Sequence, residues 1–421
     1  LKRFFSLPKN LPHLKASLAS VGFRALFSLA VGKWIAVAFG TTGTALFGQL
    51  MNLFTAFCIL PNDGLARSII RESAVESAKE DAERVRQVAW TGLVLMLVIF
   101  ALEWLVSGLI GWTTQWFDPF QSAGYLYAFQ LAFGILSASY LMGTVFLVWK
   151  KANLQAIQST FLSLGGLVGV VVIGLLGGGI MDCLLGFLGG QAAGGFLVFF
   201  WLRNKIPLGR PHFKWDPVLG KRLLKFAFTL ASIGLLNQIG IYGLVHWALE
   251  TMGTDKVGLW MAMNRFADAF NTPILAVANS ILLPLLSSQI GNQSELRKIL
   301  RPIFFQSLGV LGLGMLILFL AYPILLPILF SKEFQADTPW IAWQLAGDFF
   351  RSNTYVISIL ILAFGHTRFY FFLESGSVAM LLLLSYFLFD RFGYVGMFMA
   401  HFIRYALYWL VIVWHYRKIF F

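Results

Sequence analysis

The sequence predicts an all-α integral membrane protein, with twelve transmembrane helices in two six-helix bundles. Three observations carry this expectation. Of the 421 residues, 58% are hydrophobic and 12% charged, against about 45–50% and about 25% in a soluble chain. The apolar residues gather in runs near the ~20 residues that cross a bilayer as helix. The second half of the chain also echoes the first. A soluble chain could not hide this much apolar surface, so a soluble enzyme, a disordered chain and a nucleic-acid module are excluded.

Leu1–Lys15 is basic, holds Pro8 and Pro12 and has no apolar core, so it is not expected to be a cleavable signal peptide. Spans are expected at 17–40, 43–63, 88–111, 124–149, 157–177, 180–202, 223–249, 257–288, 303–330, 339–364, 368–389 and 393–415. The eighth is long for one crossing, and Pro273 offers a place to kink. Arg67–Gln87 mixes acids and bases at helical spacing and predicts a surface helix. Arg203–Arg222 contains Pro207, Pro211 and Pro217 and predicts an irregular connector between a lobe at 1–202 and a lobe at 223–421. The loops on the outer side are too short for a folded domain.

The net charge of +13 is not one basic patch. Lys and Arg number 23 in one set of alternate loops and 3 in the other. That asymmetry predicts both termini in the cytoplasm. The strips also read as lipid-headgroup contacts. Cys58 and Cys183 lie inside apolar runs, and no metal-ligand spacing occurs. The 42 Phe and 14 Trp are expected mostly against lipid or at the interface.

The repeat has an offset near 213. Leu18-Ala19-Ser20-Val21-Gly22 before Trp34 matches Leu230-Ala231-Ser232-Ile233-Gly234 before Trp247. Phe39-Gly40 matches Met252-Gly253, Ala56-Phe57 matches Ala269-Phe270, and Trp201 with Lys205-Ile206 matches Trp414 with Lys418-Ile419. Six spans per repeat make the two halves parallel, an arrangement that suits a transporter working by alternating access. The glycines clustered at 165–166, 177–179, 189–190 and 194–195 read as close helix packing.

A charge in hydrocarbon costs roughly 2.5–3.5 kcal/mol on insertion scales, so charges within spans usually face protein or water. The bases there are Arg24, Lys33, Arg265, Arg351 and Arg404; the acids are Glu103, Asp268, Asp348 and Glu374. Asn264, Arg265 and Asp268 share a face of the eighth span, Asp348 and Arg351 of the tenth, and His401 and Arg404 of the twelfth. Gln49 and Asn52 form a neutral polar pair on the second. Salt bridging within the bundle is one explanation. A water-filled cleft is the other, favoured for Arg265 and Arg404 because Arg grips phosphate oxygens. Lys33 is close enough to the interface to snorkel. His401 is a candidate proton-responsive group.

Gly32-Lys33-Trp34-Ile35-Ala36-Val37-Ala38-Phe39-Gly40-Thr41-Thr42-Gly43 resembles the first-helix signature of the bacterial Wzx flippases. Asp255-Lys256-Val257-Gly258-Leu259-Trp260, then Asp268-Ala269-Phe270 and Leu283-Pro284, is similar to their eighth helix. The most specific blocks are Phe330-Ser331-Lys332-Glu333-Phe334, Trp343-Gln344-Leu345-Ala346-Gly347-Asp348, Arg368-Phe369-Tyr370 and Glu374. Their order and spacing resemble the enterobacterial common antigen and O-antigen translocases over nearly the whole chain.

The resemblance implies a V-shaped fold of the multidrug/oligosaccharidyl-lipid/polysaccharide exporter (MOP) superfamily. It implies movement of undecaprenyl-diphosphate-linked oligosaccharide from the cytoplasmic to the periplasmic leaflet of the inner membrane, without enzymatic chemistry. Substrate-binding candidates are then Arg24, Lys33, Gln49, Asn52, Asn264, Arg265, Arg351 and Arg404. Candidates for H⁺ or Na⁺ coupling are Asp268, Asp348, Glu374 and His401; no other cofactor and no nucleic acid is expected. Partners would be the lipid bilayer, a polysaccharide polymerase and a chain-length regulator. Arg265 departs from the pattern, which has small polar residues there, and leaves head-group recognition open at that position. The rivals are a cation or drug antiporter of the same superfamily and, with less support, a membrane polymerase, glycosyltransferase or acyltransferase.

Overall fold

The computed structural model describes residues 12–78, 81–113, 123–207, 216–278, 282, 286, 293–331, 334, 338–364 and 366–421. These residues are helical almost throughout, and no strand occurs among them. The order is α1 (Pro12–Cys58), a π-helical turn (Ile59–Leu65), α2 (Ala66–Ala78), α3 (Ala82–Thr113), α4 (Ala123–Val148), α5 (Ala152–Leu175) and α6 (Ile180–Leu202). After a 3₁₀ turn at Arg203–Lys205 follow α7 (Pro217–Met252), α8 (Thr254–Val277), α9 (Gln293–Leu329), α10 (Thr338–Ala363), α11 (Thr367–Phe392), α12 (Val395–His415) and α13 (Arg417–Phe420).

Nine runs among the described residues are long and apolar enough to cross a membrane. The first, Ala19–Ser73, contains a break at Gly40 (φ 63°, ψ −156°), a backbone that favours glycine. α8 and α10 are not among the nine. They are the helices that carry Asn264, Arg265, Asp268, Asp348 and Arg351, whose polarity lowers their hydropathy.

Helices overrun the expected spans. α7 already includes Pro217–Arg222, so the irregular connector is shorter than expected; Pro211 lies outside the described residues. Pro217 sits at the first helical position, where its missing N–H costs nothing. The Asp216 carboxylate caps this end, accepting from the Val218 and Leu219 amides at 3.0 and 3.1 Å and from Arg84 at 3.3 Å. The expected surface helix at 67–87 is two helices, α2 and the start of α3. Its first part is not free: Ser68 is buried and donates to the Leu223 carbonyl at 2.9 Å, and Ile69 is buried. α8 runs through Pro273 without ending there.

The repeat has structural counterparts. Gly40 and Gly253, matched in sequence, both have positive φ and both close the first helix of their half. Gly177 and Gly393 do the same at the turns before α6 and α12. Ile206 and Ile419, also matched, are buried just beyond the last long helix of each half.

The chain forms two compact units. The first comprises Leu26–Ala38 and Leu46–Tyr242. Its tightest contact is α5 on α6. A Cβ at Gly165 would meet the Gly190 carbonyl, one at Gly169 the Gly186 carbonyl, and one at Gly194 the Phe161 carbonyl. This is the small-residue seam that lets membrane helices touch backbone to backbone. Gln158 pins α4 and α6 together, donating to the carbonyls of Ser139 and Gly195 at 3.0 and 3.1 Å. Phe47, Phe129 and Phe146 are fully buried, so part of the Phe content fills the core instead of facing lipid.

The second unit comprises the residues up to Ala25, Phe39–Ala45 and Gly243–Phe421. Its core joins α9, α10 and α12 through Leu300, Phe304, Ile357, Leu360, Tyr408 and Ile412. Two of the sequence blocks meet here. Thr41 donates to Asp255 at 2.5 Å and Thr42 to Thr254 at 3.2 Å, and Gly258 lies against the Thr41 carbonyl.

Gly169→Leu or Gly190→Leu should destabilise the protein by about 1–3 kcal/mol or more through overpacking, read as a lower thermal unfolding midpoint in detergent. Gly189→Leu, where a Cβ meets nothing, should not. The Leu219 amide, then the Val218 amide and Arg84, hold the Asp216 carboxyl below its usual range. A depressed folded pKa gives stability that is complete above the ordinary aspartate range and lost as pH falls through the folded value. Protection of the first-turn amides of α7 against hydrogen exchange, taken relative to the intrinsic rate at each pH, should therefore fall in acid, and Asp216→Ala should lack that protection at every pH.

Candidate functional site

α8, α10 and α12 bring one charged cluster together in the second unit. On α10, Gln344, Asp348, Arg351 and Tyr355 follow at spacings of four, three and four, which sets them on one helix face. The Arg351 guanidinium reaches Asp268 of α8 at 2.6 Å and Asp348 at 3.9 Å. Its Nε donates to the Tyr355 hydroxyl at 3.0 Å. Asp348 also contacts His401 Nε2 of α12 at 3.2 Å and accepts from Gln344 Nε2 at 3.0 Å.

The two carboxylates differ in setting. The Asp348 side chain is 3% exposed and that of Asp268 57%, with Arg351 at 17% between them. One guanidinium thus links a buried acid to an acid that opens to the surroundings of the helix. Arg265, one turn before Asp268, is within electrostatic reach of it. A cavity of about 20 Å³ lies beside Asp348 and Gln344, with Met263, Phe266, Leu345 and other apolar side chains as its walls. That volume is about one water molecule.

A second polar group flanks the first on α11 and α12. Tyr408 donates to Glu374 at 2.7 Å, and the buried Arg404 donates through Nε to Ser377 at 2.7 Å. Tyr405 connects the groups. Its ring centroid lies 5.9 Å from the Arg351 guanidinium carbon, 4.9 Å from that of Arg404, and 5.0 Å from the His401 ring. Such separations suit cation–π attraction. Below the cluster, Ser352 donates to Asn271 at 2.5 Å and Ser307 to Asn353 at 3.0 Å, tying α10 to α8 and α9.

Of the sequence candidates, Asp268, Asp348, Arg351 and His401 are joined directly, and Glu374 and Arg404 form the flanking group. Asn264 and Arg265 are half-buried on α8. Lys33, Gln49 and Asn52 belong to the first unit and are not part of this cluster. Lys33 is exposed, and the buried Gln49 is hydrogen-bonded to Tyr242. Arg24 is half-buried and belongs to the second unit. Leu283-Pro284 and Lys332-Glu333 of the sequence blocks lie outside the described residues; Phe330 and Phe334 of the same block are buried and stacked at 5.4 Å.

Sequence reading missed Gln344, Tyr355, Tyr405 and Gly347 as parts of the site. The signal for the first two was the i,i+4 spacing from Asp348 and Arg351. Gly347 is needed because a Cβ there would run into the His401 ring.

The arrangement is that of a transporter fold. Over 96% of this chain and 98% of the other, it superimposes on an inward-facing multidrug resistance MATE family transporter of the MOP superfamily, with a TM-score of 0.82 at 15% identity. A point mutant of the Vibrio cholerae MATE transporter VcmN matches with a TM-score of 0.70 at 16% identity, over 96% of this chain and 97% of that one. The polysaccharide biosynthesis protein family matches residues 17–289, and the chain belongs to that family. The lipid III flippases of Escherichia coli K12 and Shigella flexneri are each 24% identical over 393 residues, 90% of this chain and 91% of theirs. The chain thus belongs to the polysaccharide biosynthesis protein family and shares the fold of the solved MATE transporters.

Asp348→Asn should cost about 3–5 kcal/mol, since it leaves Arg351 and His401 short of a buried partner. Asp268→Asn should cost under about 1 kcal/mol, because the acid is largely exposed. Thermal or denaturant unfolding in the same detergent checks the order of the two.

Proposed function

We propose that this chain moves undecaprenyl-diphosphate-linked oligosaccharide from the cytoplasmic to the periplasmic leaflet of a bacterial inner membrane, with both termini in the cytoplasm. The observation that carries the proposal is the Asp268–Arg351–Asp348–His401 cluster, in a chain related to lipid III flippases along nine-tenths of its length. A diphosphate cannot cross hydrocarbon bare, and Arg is the side chain best shaped to hold it. Arg24, Arg265, Arg351 and Arg404 are the residues proposed to hand it across, and Lys33, Gln49, Asn52 and Asn264 those proposed to meet its sugars and phosphates.

The carboxylates set the coupling. Asp268 and Asp348 compete with the diphosphate for Arg351, so neutralising either by H⁺ or Na⁺ releases the guanidinium to the substrate. His401 and Glu374 are the further groups proposed to take up the ion. A polysaccharide polymerase and a chain-length regulator are proposed to consume the translocated product. The second reading, a cation or drug antiporter, draws on the MATE likeness. It suits this site less, because the cluster presents guanidinium groups as well as acids.

The test is reconstitution in vesicles, with inner-to-outer transfer of a defined lipid-linked saccharide followed under an imposed H⁺ or Na⁺ gradient. Transfer is expected for the wild type and loss of at least tenfold for Arg351→Ala, about the ~1.5–3 kcal/mol of one charged hydrogen bond. In cells, Arg24→Ala or Arg265→Ala should abolish polysaccharide display at normal protein level and insertion. Efflux of a cationic dye without lipid transfer would establish the antiporter instead.

A further inference from the structure

We propose that the end of the second unit where α9 begins and α13 lies is a binding site for the headgroup of an anionic phospholipid. The first turns of α9 have two faces. Leu296, Leu300 and Phe304 are buried in a core cluster with Tyr416, Ile419 and Phe420. The neighbouring face, one residue on at each turn, carries Arg297, Arg301 and Phe305, all exposed.

An aromatic seam fixes α13 to this helix. Phe420 is fully buried and stacks on Phe304 at 4.6 Å, and Phe421 meets the edges of Phe304 and Phe305 at 6.1 and 6.2 Å. Arg417 and Lys418 of α13 are exposed beside that seam, and the Arg417 guanidinium lies 5.1 Å over the Trp414 ring. The acid in these turns of α9, Glu295, is already held by Lys298 at 2.6 Å. Among the described residues, Lys298 is the only base on these two meeting elements that pairs with an acid.

Charge alone would suit any phosphate. The exposed rings commit the site to lipid: Phe305, Trp414 and Phe421 are 48%, 67% and 56% exposed, and aromatic side chains of this kind settle at the boundary of headgroup and hydrocarbon. Beyond Phe305 this face of α9 continues through the exposed Leu316 and Leu320, a lane for an acyl chain. Clusters of four or more Lys and Arg beside a spanning helix bind anionic lipid. A phosphate between Arg301 and Lys418 would clamp α13 onto α9. The site is separate from the Asp268–Arg351–Asp348 cluster and does not depend on the transport proposal.

The test compares the full chain with Arg301→Gln/Lys418→Gln in phosphatidylcholine, with phosphatidylglycerol added. Phosphatidylglycerol is expected to raise the unfolding temperature of the wild type and to remain bound in native mass spectrometry. In the double variant, binding should weaken roughly 30-fold, at about 1 kcal/mol per base removed. Lys205→Gln, an exposed base of the first unit, should keep the full gain. If the double variant does not fold in phosphatidylcholine, Arg297→Gln/Arg417→Gln replaces it with the same expectation. An equal gain in the charge-depleted variant would overturn the site, and an equal gain from inorganic phosphate would overturn its assignment to lipid.

Discussion

One guanidinium shared by two carboxylates is the contact on which the second unit depends. Asp348 is almost fully enclosed, and an ion taken out of water without partners costs several kcal/mol. Arg351, His401 and Gln344 supply those partners from two helices. Each must be held within hydrogen-bond or ion-pair range, so the spacing of α8, α10 and α12 follows from the cluster. Gly347 removes the Cβ that would push His401 off, and the Asn271–Ser352 bond keeps α8 in register with α10.

The first unit is held in another way. Its tightest seam is glycine against carbonyl, and dispersion and close approach do the holding there. That contact does not change with protonation or ligand. The second unit's central contact does, because every member but Gln344 carries or can carry charge. The tightest seam of the first unit is thus indifferent to charge, whereas the central contact of the second is made of charges.

The fold class was legible because it rests on composition and run length, which no tertiary detail can reverse. Gly40 was legible as the end of the first span for a similar reason: the apolar run stops where only glycine suits the backbone. Helix ends were less legible. Hydropathy finds the part of a helix matched to hydrocarbon, while α3, α7 and α9 continue with polar residues such as Arg84, Lys221 and Lys298 that periodicity in a short window does not resolve. In the site, Asp348 with Arg351 was visible as an i,i+3 pair on one helix. The partnership of Arg351 with Asp268 joins positions 83 apart, and nothing in a single sequence encodes which of two intramembrane acids a base will choose. Gly347 was hidden for a further reason: its role, one missing carbon, exists only once α12 lies against α10.

On the proposed transport reading, ion coupling and anion binding are one equilibrium seen from two sides. Arg351 has a finite number of N–H donors; Asp268 and Tyr355 draw on them now, and Asp348 stands by at ion-pair distance, 3.9 Å. A diphosphate gains the guanidinium only as a carboxylate gives it up. A carboxylate gives it up at least cost when a proton or a sodium ion takes its place. By linkage, whatever factor the ion contributes to anion affinity, the anion returns to ion affinity. The exposed Asp268 is the acid that can exchange partners without first opening the helix packing, and the buried Asp348 the one that keeps Arg351 in place while it does so. The difference in their exposure, more than the number of charges, is what would let the site take hold of a phosphate and then release it.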